Sequence, residues 1–91
     1  MEVRWSDLAF ADLERILRFI SDENPMAARE VIKEIREACT ALEILPNRGR
    51  AGRTAGRREL VFTSLPYVAV YRVKDQIVEI SRIYHFRQRR L

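Results

Sequence analysis

Residues 66–84 read PYVAVYRVKDQIVEISRIY, and the architecture of the whole chain can be worked out from this segment. It contains two runs rich in β-branched and aromatic side chains, residues 68–73 and 77–84, which predict two strands. Pro66 stands just before the first run, where a missing N–H is tolerated. The three residues 74–76 are short enough for a hairpin turn between the two strands. We therefore expect a β-hairpin near the end of the chain.

Two amphipathic helices are predicted upstream of the hairpin. The first follows a short strand at residues 3–5, is capped by Ser6 and ends near Ser21. The second begins at Asn24 and Pro25, an N-cap residue followed by a residue suited to the first helical turn. Because only residues 22–24 connect them, the helices should form an antiparallel hairpin. Their predicted buried stripes are Ala9, Leu13, Ile16, Leu17 and Ile20 in the first helix, and Ala28, Val31, Ile35, Ala38, Cys39, Leu42 and Leu45 in the second.

A loop separates the helices from the remaining strands. Pro46 ends the second helix, and residues 47–58 contain all three glycines of the chain and five arginines. A further strand-like run follows at residues 59–63. The order strand, helix, helix, strand, strand, strand predicts one α+β domain over residues 1–91, with the helical hairpin packed on one face of a small, mainly antiparallel sheet.

Composition excludes several classes of protein. The chain has 91 residues, 47% of them hydrophobic, which suffices for one core. Its single cysteine and single histidine cannot form an intramolecular disulfide or a zinc finger, and we expect neither a metal nor a cofactor. Charges at Glu2, Arg4 and Asp7 interrupt any signal-peptide pattern, and no uncharged window is long enough to span a membrane. A cytoplasmic protein without a membrane partner is therefore expected.

The charge is segregated along the chain. Residues 1–47 hold six basic and ten acidic side chains, whereas residues 48–91 hold eleven and three. The second half therefore carries a net charge of +8 and would attract a polyanion, which could be nucleic acid or an acidic protein.

The predicted sheet has apolar residues on both faces, although two helices can cover only one of them. Residues 68–71 are apolar throughout, as are Ile77, Val78 and Ile80. The second face is interpreted in three ways: a partly apolar cleft flanked by Arg72, Arg82 and the C-terminal tail, a surface covered by a partner, or a face covered by the last helix turn or the C-terminal residues.

The densest basic segment is RGRAGRTAGRR, residues 48–58. Its glycines would let the backbone approach a phosphate, and its arginines could clamp a phosphate or a carboxylate. The segment lacks the Gly-Lys-Ser/Thr ending of a nucleotide-hydrolysing loop. The alternative is a solvated loop whose arginines pair with Glu43 or Glu59.

The second basic segment is RIYHFRQRRL, residues 82–91, in which arginines alternate with aromatic residues as in proteins that bind single-stranded RNA. His85 could serve as a general acid or base, with Arg82 and Arg87 stabilising the charge that develops on a phosphate. Alternatively, His85 is structural, and Tyr84 and Phe86 are core or cleft-wall residues.

Several of these segments together resemble the RelE/ParE family of bacterial toxins from type II toxin–antitoxin modules. The resemblance is carried by residues 45–53, 56–61, 66–73 and 80–88, and by the N-terminal pattern from Trp5 to the Ala27-Ala28 pair. It covers essentially the whole chain and implies a helical hairpin on a small antiparallel sheet.

The resemblance implies two alternative activities. RelE-like members cut messenger RNA on the ribosome, whereas ParE-like members inhibit DNA gyrase without hydrolysis. Val68 stands where the RelE pattern has a basic residue, and Arg87 matches the other basic position. The sequences of these motifs are more similar to those of ParE-like members, so we expect a non-enzymatic gyrase inhibitor. The alternative is a ribosome-dependent mRNA endonuclease that uses Arg82, His85 and Arg87.

The resemblance also implies a cognate acidic, ParD-like antitoxin that forms a hetero-oligomer with the toxin. The candidate target-binding residues are Arg48, Arg50, Arg53, Arg57, Arg58, Arg72, Arg82, Arg87, Arg89 and Arg90. The candidate antitoxin-binding residues are Leu13, Leu17, Ile20, Ile32, Tyr67 and Tyr71.

Overall fold

The structure is a computed structural model that describes residues 1–88. The strands are β1 (Glu2–Trp5), β2 (Arg50–Ala51), β3 (Arg58–Val61), β4 (Tyr67–Lys74) and β5 (Ile77–His85), and the helices are α1 (Asp7–Ser21) and α2 (Pro25–Thr40). Short 3₁₀ turns cover Ala41–Glu43 and Phe86–Gln88. Within residues 1–88 the strands form one sheet in the order β1-β5-β4-β3-β2, with β1 parallel to β5 and the other pairs antiparallel. The predicted α+β architecture is confirmed.

Both helices begin at the predicted residues. The Ser6 hydroxyl accepts a hydrogen bond from the Ala9 N–H at 3.1 Å, and the Asn24 side-chain oxygen accepts one from the Ala27 N–H at 3.1 Å. Each bond satisfies a backbone donor that the first helical turn would otherwise leave without a partner. Local sequence therefore sets where both helices start.

The hairpin between β4 and β5 is also confirmed. Its two-residue turn places Asp75 and Gln76 at positive φ, 54° and 65°. This combination is the one that matches the twist of the flanking strands. Between Val70 and Tyr71 the register shifts, so that Ser81 of β5 has no direct partner on β4 and forms a bulge.

The core lies between the helical hairpin and one face of the sheet. Tyr67, Ala69 and Tyr71 of β4 belong to it, whereas the alternating Val68 does not. Cys39 is fully buried there, and burial raises the pKa of its thiol to about 12, which confirms that it packs as a small hydrophobic residue. Other members of the core are Ala9, Leu13, Ile35, Leu42, Leu60, Phe62, Val78, Ile80 and Ile83.

Four predicted details are wrong. Leu17, a predicted member of the buried stripe of α1, is 38% exposed. The chain leaves the α-helical spacing at Thr40 and enters a 3₁₀ turn, so Leu45 is 57% exposed instead of continuing the buried stripe. The loop 47–58 contains strand β2, because Arg50 and Ala51 pair with the beginning of β3. Strand β3 itself covers Arg58–Val61 and not residues 59–63.

Asp12 joins α1 to the sheet. Strand β1 pairs with β5 only as far as Ile80, and beyond that point α1 runs along the edge of β5. The buried Asp12 carboxylate accepts a hydrogen bond from the Ile83 N–H at 2.9 Å, and from Nε and Nη2 of Arg82 at 2.8 and 3.0 Å. Arg15 also pairs with it. A side chain of α1 thereby completes the hydrogen bonding of a strand edge.

These contacts determine the protonation of Asp12. Burial alone would raise the pKa of this carboxyl, but the hydrogen bonds from Arg82 and Ile83 and the charges of Arg82 and Arg15 outweigh burial and lower it. A lowered pKa in the folded state stabilises the protein above the unfolded-state value of about 4, and this stabilisation is lost as the pH falls further.

We expect Asp12→Asn to lower the free energy of unfolding at pH 7 by about 2–3 kcal/mol, because Arg82 and the Ile83 N–H lose a charged acceptor. The variant should also lose less stability than the wild type between pH 5 and pH 3. Urea unfolding at several pH values measures both effects. Glu14→Gln, at an exposed position of the same helix, is the control. An unchanged pH dependence in Asp12→Asn would contradict this role for the carboxylate.

Candidate functional site

The basic loop is fixed to the core by Tyr71. The Tyr71 hydroxyl accepts a hydrogen bond from the Gly49 N–H at 2.8 Å and donates one to the Pro46 carbonyl at 2.7 Å. The Arg58 guanidinium donates to the Gly49 carbonyl at 2.8 Å. Residues 46–49 therefore form a turn whose two ends are held by one buried side chain.

The arginines of the loop differ in their contacts and in their exposure. Arg50 donates through both Nε and Nη2 to Oε1 of the buried Glu59, at 3.2 and 3.1 Å. Arg57 reaches Oγ of Ser81 at 3.2 Å. Arg48 and Arg53 are exposed. The predicted pairing with Glu59 is thus confirmed for Arg50, while other arginines of the segment face solvent.

The sheet face opposite the helices carries apolar and basic side chains together. Val68 is fully buried between Val61 and Tyr84 of the neighbouring strands. Within residues 1–88 no helix covers this face, but the Arg57 side chain extends over it to Ser81. Arg72 pairs with Glu79 on the same face at 3.2 Å. Arginine side chains thus partly cover the sheet face that lies opposite the helices.

A groove lies between α1 and the ends of β4 and β5, and we call it the α1 groove. Its volume is about 430 Å³. Tyr67 and His85 contact each other edge to face there, with ring centroids 5.4 Å apart, and burial raises the pKa of Tyr67. The groove is lined by Asp12, Arg15, Ile16 and Phe19 from α1, and by Tyr67, Ile83, His85 and Arg87 from the sheet and the residues after it. An apolar centre with a basic rim suits an apolar side chain next to a carboxylate.

The structure does not bring Arg82, His85 and Arg87 together in one site. Arg82 lies opposite Val70 in the register and His85 opposite Tyr67, so their side chains leave β5 on opposite faces of the sheet. Arg82 is held by Asp12 and lies 4.9 Å from the centre of the Tyr84 ring, and the Asp12 hydrogen bond raises its pKa. The Nδ1 atom of His85 accepts a hydrogen bond from the Arg87 N–H at 3.1 Å. Arg89 and Arg90 lie outside the described residues.

The candidate antitoxin-binding residues differ in exposure. Tyr71 is fully buried, so the prediction that it contacts a partner does not hold in this structure, because its ring packs in the core. Leu13 and Tyr67 are nearly buried, whereas Leu17 is exposed. Ile20 and Ile32 are half-buried.

Sequence reasoning missed the exposed apolar residues Leu8, Phe10, Phe19 and Met26. Phe10 and Phe19 lie outside the predicted buried stripe of α1. Their positions could therefore have indicated from the sequence that this helix exposes apolar side chains. Phe19 lines the α1 groove, whereas Phe10 lies nine residues earlier on the other side of the helix.

The fold of this chain is similar to that of solved structures, and this similarity indicates the class of the protein. The fold matches a chain of the "Chromosomal ParDE TA system from P. aeruginosa" with a TM-score of 0.85 and 30% identity, covering 93% of this chain and 95% of the other. It also matches the conserved hypothetical protein HP0894 from Helicobacter pylori, with a TM-score of 0.57, 18% identity and 93% of each chain covered. The second match shows the fold alone.

Sequence comparison then defines the family. Residues 3–90 match the family model described as the ParE toxin of the type II toxin-antitoxin system parDE. The chain is 37% identical to "Putative toxin Y4kP" of Sinorhizobium fredii, over 94% of this chain and 88% of the relative. It is 40% identical to "Toxin RelE2" of Caulobacter vibrioides, over 92% and 93%. The chain belongs to the ParE/RelE family of type II toxins, a family whose members have a cognate antitoxin.

In residues 1–88 no helix is long and apolar enough to cross a membrane.

Proposed function

We propose that this toxin inhibits DNA gyrase by binding to it, and that it cleaves no substrate itself. The observation that carries the proposal is the separation of Arg82 and His85 on opposite faces of β5. A phosphodiester-cleaving site needs a proton-transfer group and charge-stabilising groups around the same phosphate. The buried Val68 supplies neither a proton-transfer group nor a charge on the sheet face opposite the helices. The likeness to a chain of a ParDE TA system supports the same proposal.

In this proposal the exposed arginines are contact residues. Arg48 and Arg53 on the loop and Arg87 after β5 are exposed and belong to the half of the chain that carries the net charge of +8. A surface of this charge attracts an acidic protein surface or the DNA that gyrase holds, and it speeds association at low salt.

Charge reversal tests the contact role. We expect Arg53→Glu combined with Arg87→Glu to weaken inhibition of gyrase supercoiling at least about tenfold, because two attractive contacts become repulsive. The control is Arg29→Glu combined with Arg36→Glu, which changes the net charge by the same amount at exposed positions of α2. The thermal unfolding midpoints of both variants should stay near that of the wild type. Equal inhibition by the two double variants would contradict the proposal.

The alternative function is ribosome-dependent cleavage of mRNA. Its support is the similarity to a relative named as a RelE toxin, together with the adjacent His85 and Arg87 at the mouth of the α1 groove. In that case His85 would be the general acid or base, and its loss would reduce cleavage by about two orders of magnitude.

We expect His85→Ala to arrest growth as the wild type does when each is expressed without antitoxin, since gyrase inhibition needs no proton transfer. Pulse labelling of DNA, RNA and protein during the first minutes after induction is the measurement. DNA synthesis should fail first in both strains. Early loss of protein synthesis in the wild type, abolished in His85→Ala, would instead establish the ribonuclease.

We further propose that the cognate antitoxin docks in the α1 groove. Phe19 and Ile16 provide the apolar wall, and Arg15 and Arg87 provide a basic rim for the acidic segment expected of the antitoxin. An apolar side chain inserted between flanking carboxylates would satisfy both features.

The prediction for this groove is that Phe19→Asp weakens antitoxin binding at least about thirtyfold while growth arrest is retained, because a carboxylate replaces an apolar anchor beside an acidic ligand. Isothermal titration calorimetry with the purified antitoxin gives the affinity. Met26→Asp is a matched control, since Met26 and Phe19 are 78% and 77% exposed and Met26 lies outside the groove. Similar losses in the two variants would place the antitoxin elsewhere.

A further inference from the structure

We propose that Tyr71 is a positioning residue for target binding, whose hydroxyl holds residues 46–49 so that Arg48 is presented to the target. The inference rests on the proposed function, in which the loop arginines contact gyrase. It concerns a residue of the core, and it explains why a polar tyrosine occupies a fully buried position on β4.

The two hydrogen bonds of the hydroxyl have a specific geometry. One goes to the Pro46 carbonyl at 2.7 Å and the other comes from the Gly49 N–H at 2.8 Å, so the pair spans Asn47 and Arg48. Both backbone groups lie at the boundary of the core, where a lost partner is costly. A phenylalanine would pack the core equally well but would leave both groups without this partner.

Further contacts make the turn rigid from its other side. A Cβ atom added to Gly49 would lie 2.7 Å from the Tyr71 ring and 2.8 Å from the Glu59 carbonyl, so only glycine fits this approach. The Gly49 carbonyl accepts a hydrogen bond from Arg58, and the following Arg50 pairs with Glu59. The turn is thereby attached to both β4 and β3.

The consequence for binding is preorganisation. Arg50 and Arg58 are engaged within the protein. Arg48, between the tethered Pro46 and Gly49, is exposed and lines a groove beside Glu34 and Glu37 of α2. A contact carried by a rigid turn avoids the ordering cost that a mobile loop would incur on binding. Removal of the hydroxyl should therefore weaken target binding through Arg48, with the fold retained.

The first experiment measures the turn without reference to any target. In amide hydrogen exchange, Tyr71→Phe should speed exchange of the Gly49 amide at least about tenfold while amides in β4 and β5 keep their protection. Tyr84→Phe, on the opposite face of the sheet, is the control. Unchanged exchange at Gly49 would overturn the inference, and so would loss of protection throughout the sheet.

The second experiment measures gyrase binding in a double-mutant cycle of Tyr71→Phe and Arg48→Gln. We expect each single variant to bind about tenfold more weakly and the double variant to be no weaker than the weaker single, because Tyr71 acts through Arg48. Fully additive losses would overturn the inference, because a purely structural effect does not couple to Arg48.

Two further measurements distinguish a failure of this inference from a misfolded variant and from a failure of the proposed function. If Tyr71→Phe does not fold, Gly49→Ala displaces the same turn with Tyr71 intact, and the cycle is measured with that variant. If the wild type itself does not bind gyrase, the proposed function is wrong, whereas the exchange experiment still determines whether Tyr71 holds the turn.

Discussion

The position of α1 depends on one buried carboxylate. The Asp12 carboxylate accepts hydrogen bonds from the Ile83 N–H and the Arg82 guanidinium. This contact lies at the edge of β5, beyond the last residue that pairs with β1. Because the charge of Asp12 is matched there, an acidic residue can remain in the core-facing stripe of an otherwise amphipathic helix. One feature of the surface follows from this contact, because α1 forms one wall of the α1 groove. The contact also holds the Arg82 side chain, which the alternation along β5 places on the face opposite His85.

A second buried polar group organises the opposite end of the sheet. Tyr71 reaches through the core to the turn at residues 46–49, in the same way that Asp12 reaches from α1 to β5. In both places a side chain satisfies backbone groups that regular secondary structure leaves unpaired. The helical hairpin and the basic loop are therefore held to the sheet by directional contacts as well as by apolar packing.

In the proposed function this surface serves binding and not catalysis. Exposed arginines lie on the loop and after β5, while His85 packs against Tyr67 in the α1 groove. In the proposed function the target contacts the basic loop and Arg87, and the antitoxin occupies the α1 groove, whose rim also includes Arg87. The loop is charged and rigidly held, and the groove is apolar with a basic rim.

Local signals in the sequence were sufficient for the order of the elements other than β2, for both helix caps, for the β4–β5 hairpin and for the segregation of charge, because each depends on residues close together in the chain. The family resemblance added the toxin class. The tertiary structure alone decided the end of the buried stripe at Leu42, the pairing of β2 with β3, and the roles of Asp12 and Tyr71. These depend on partners 70 or 71 residues away for Asp12 and 22 or 25 residues away for Tyr71. Hydrophobic periodicity carries no information about such partners, since a buried polar side chain is stabilised only by the groups that folding places beside it.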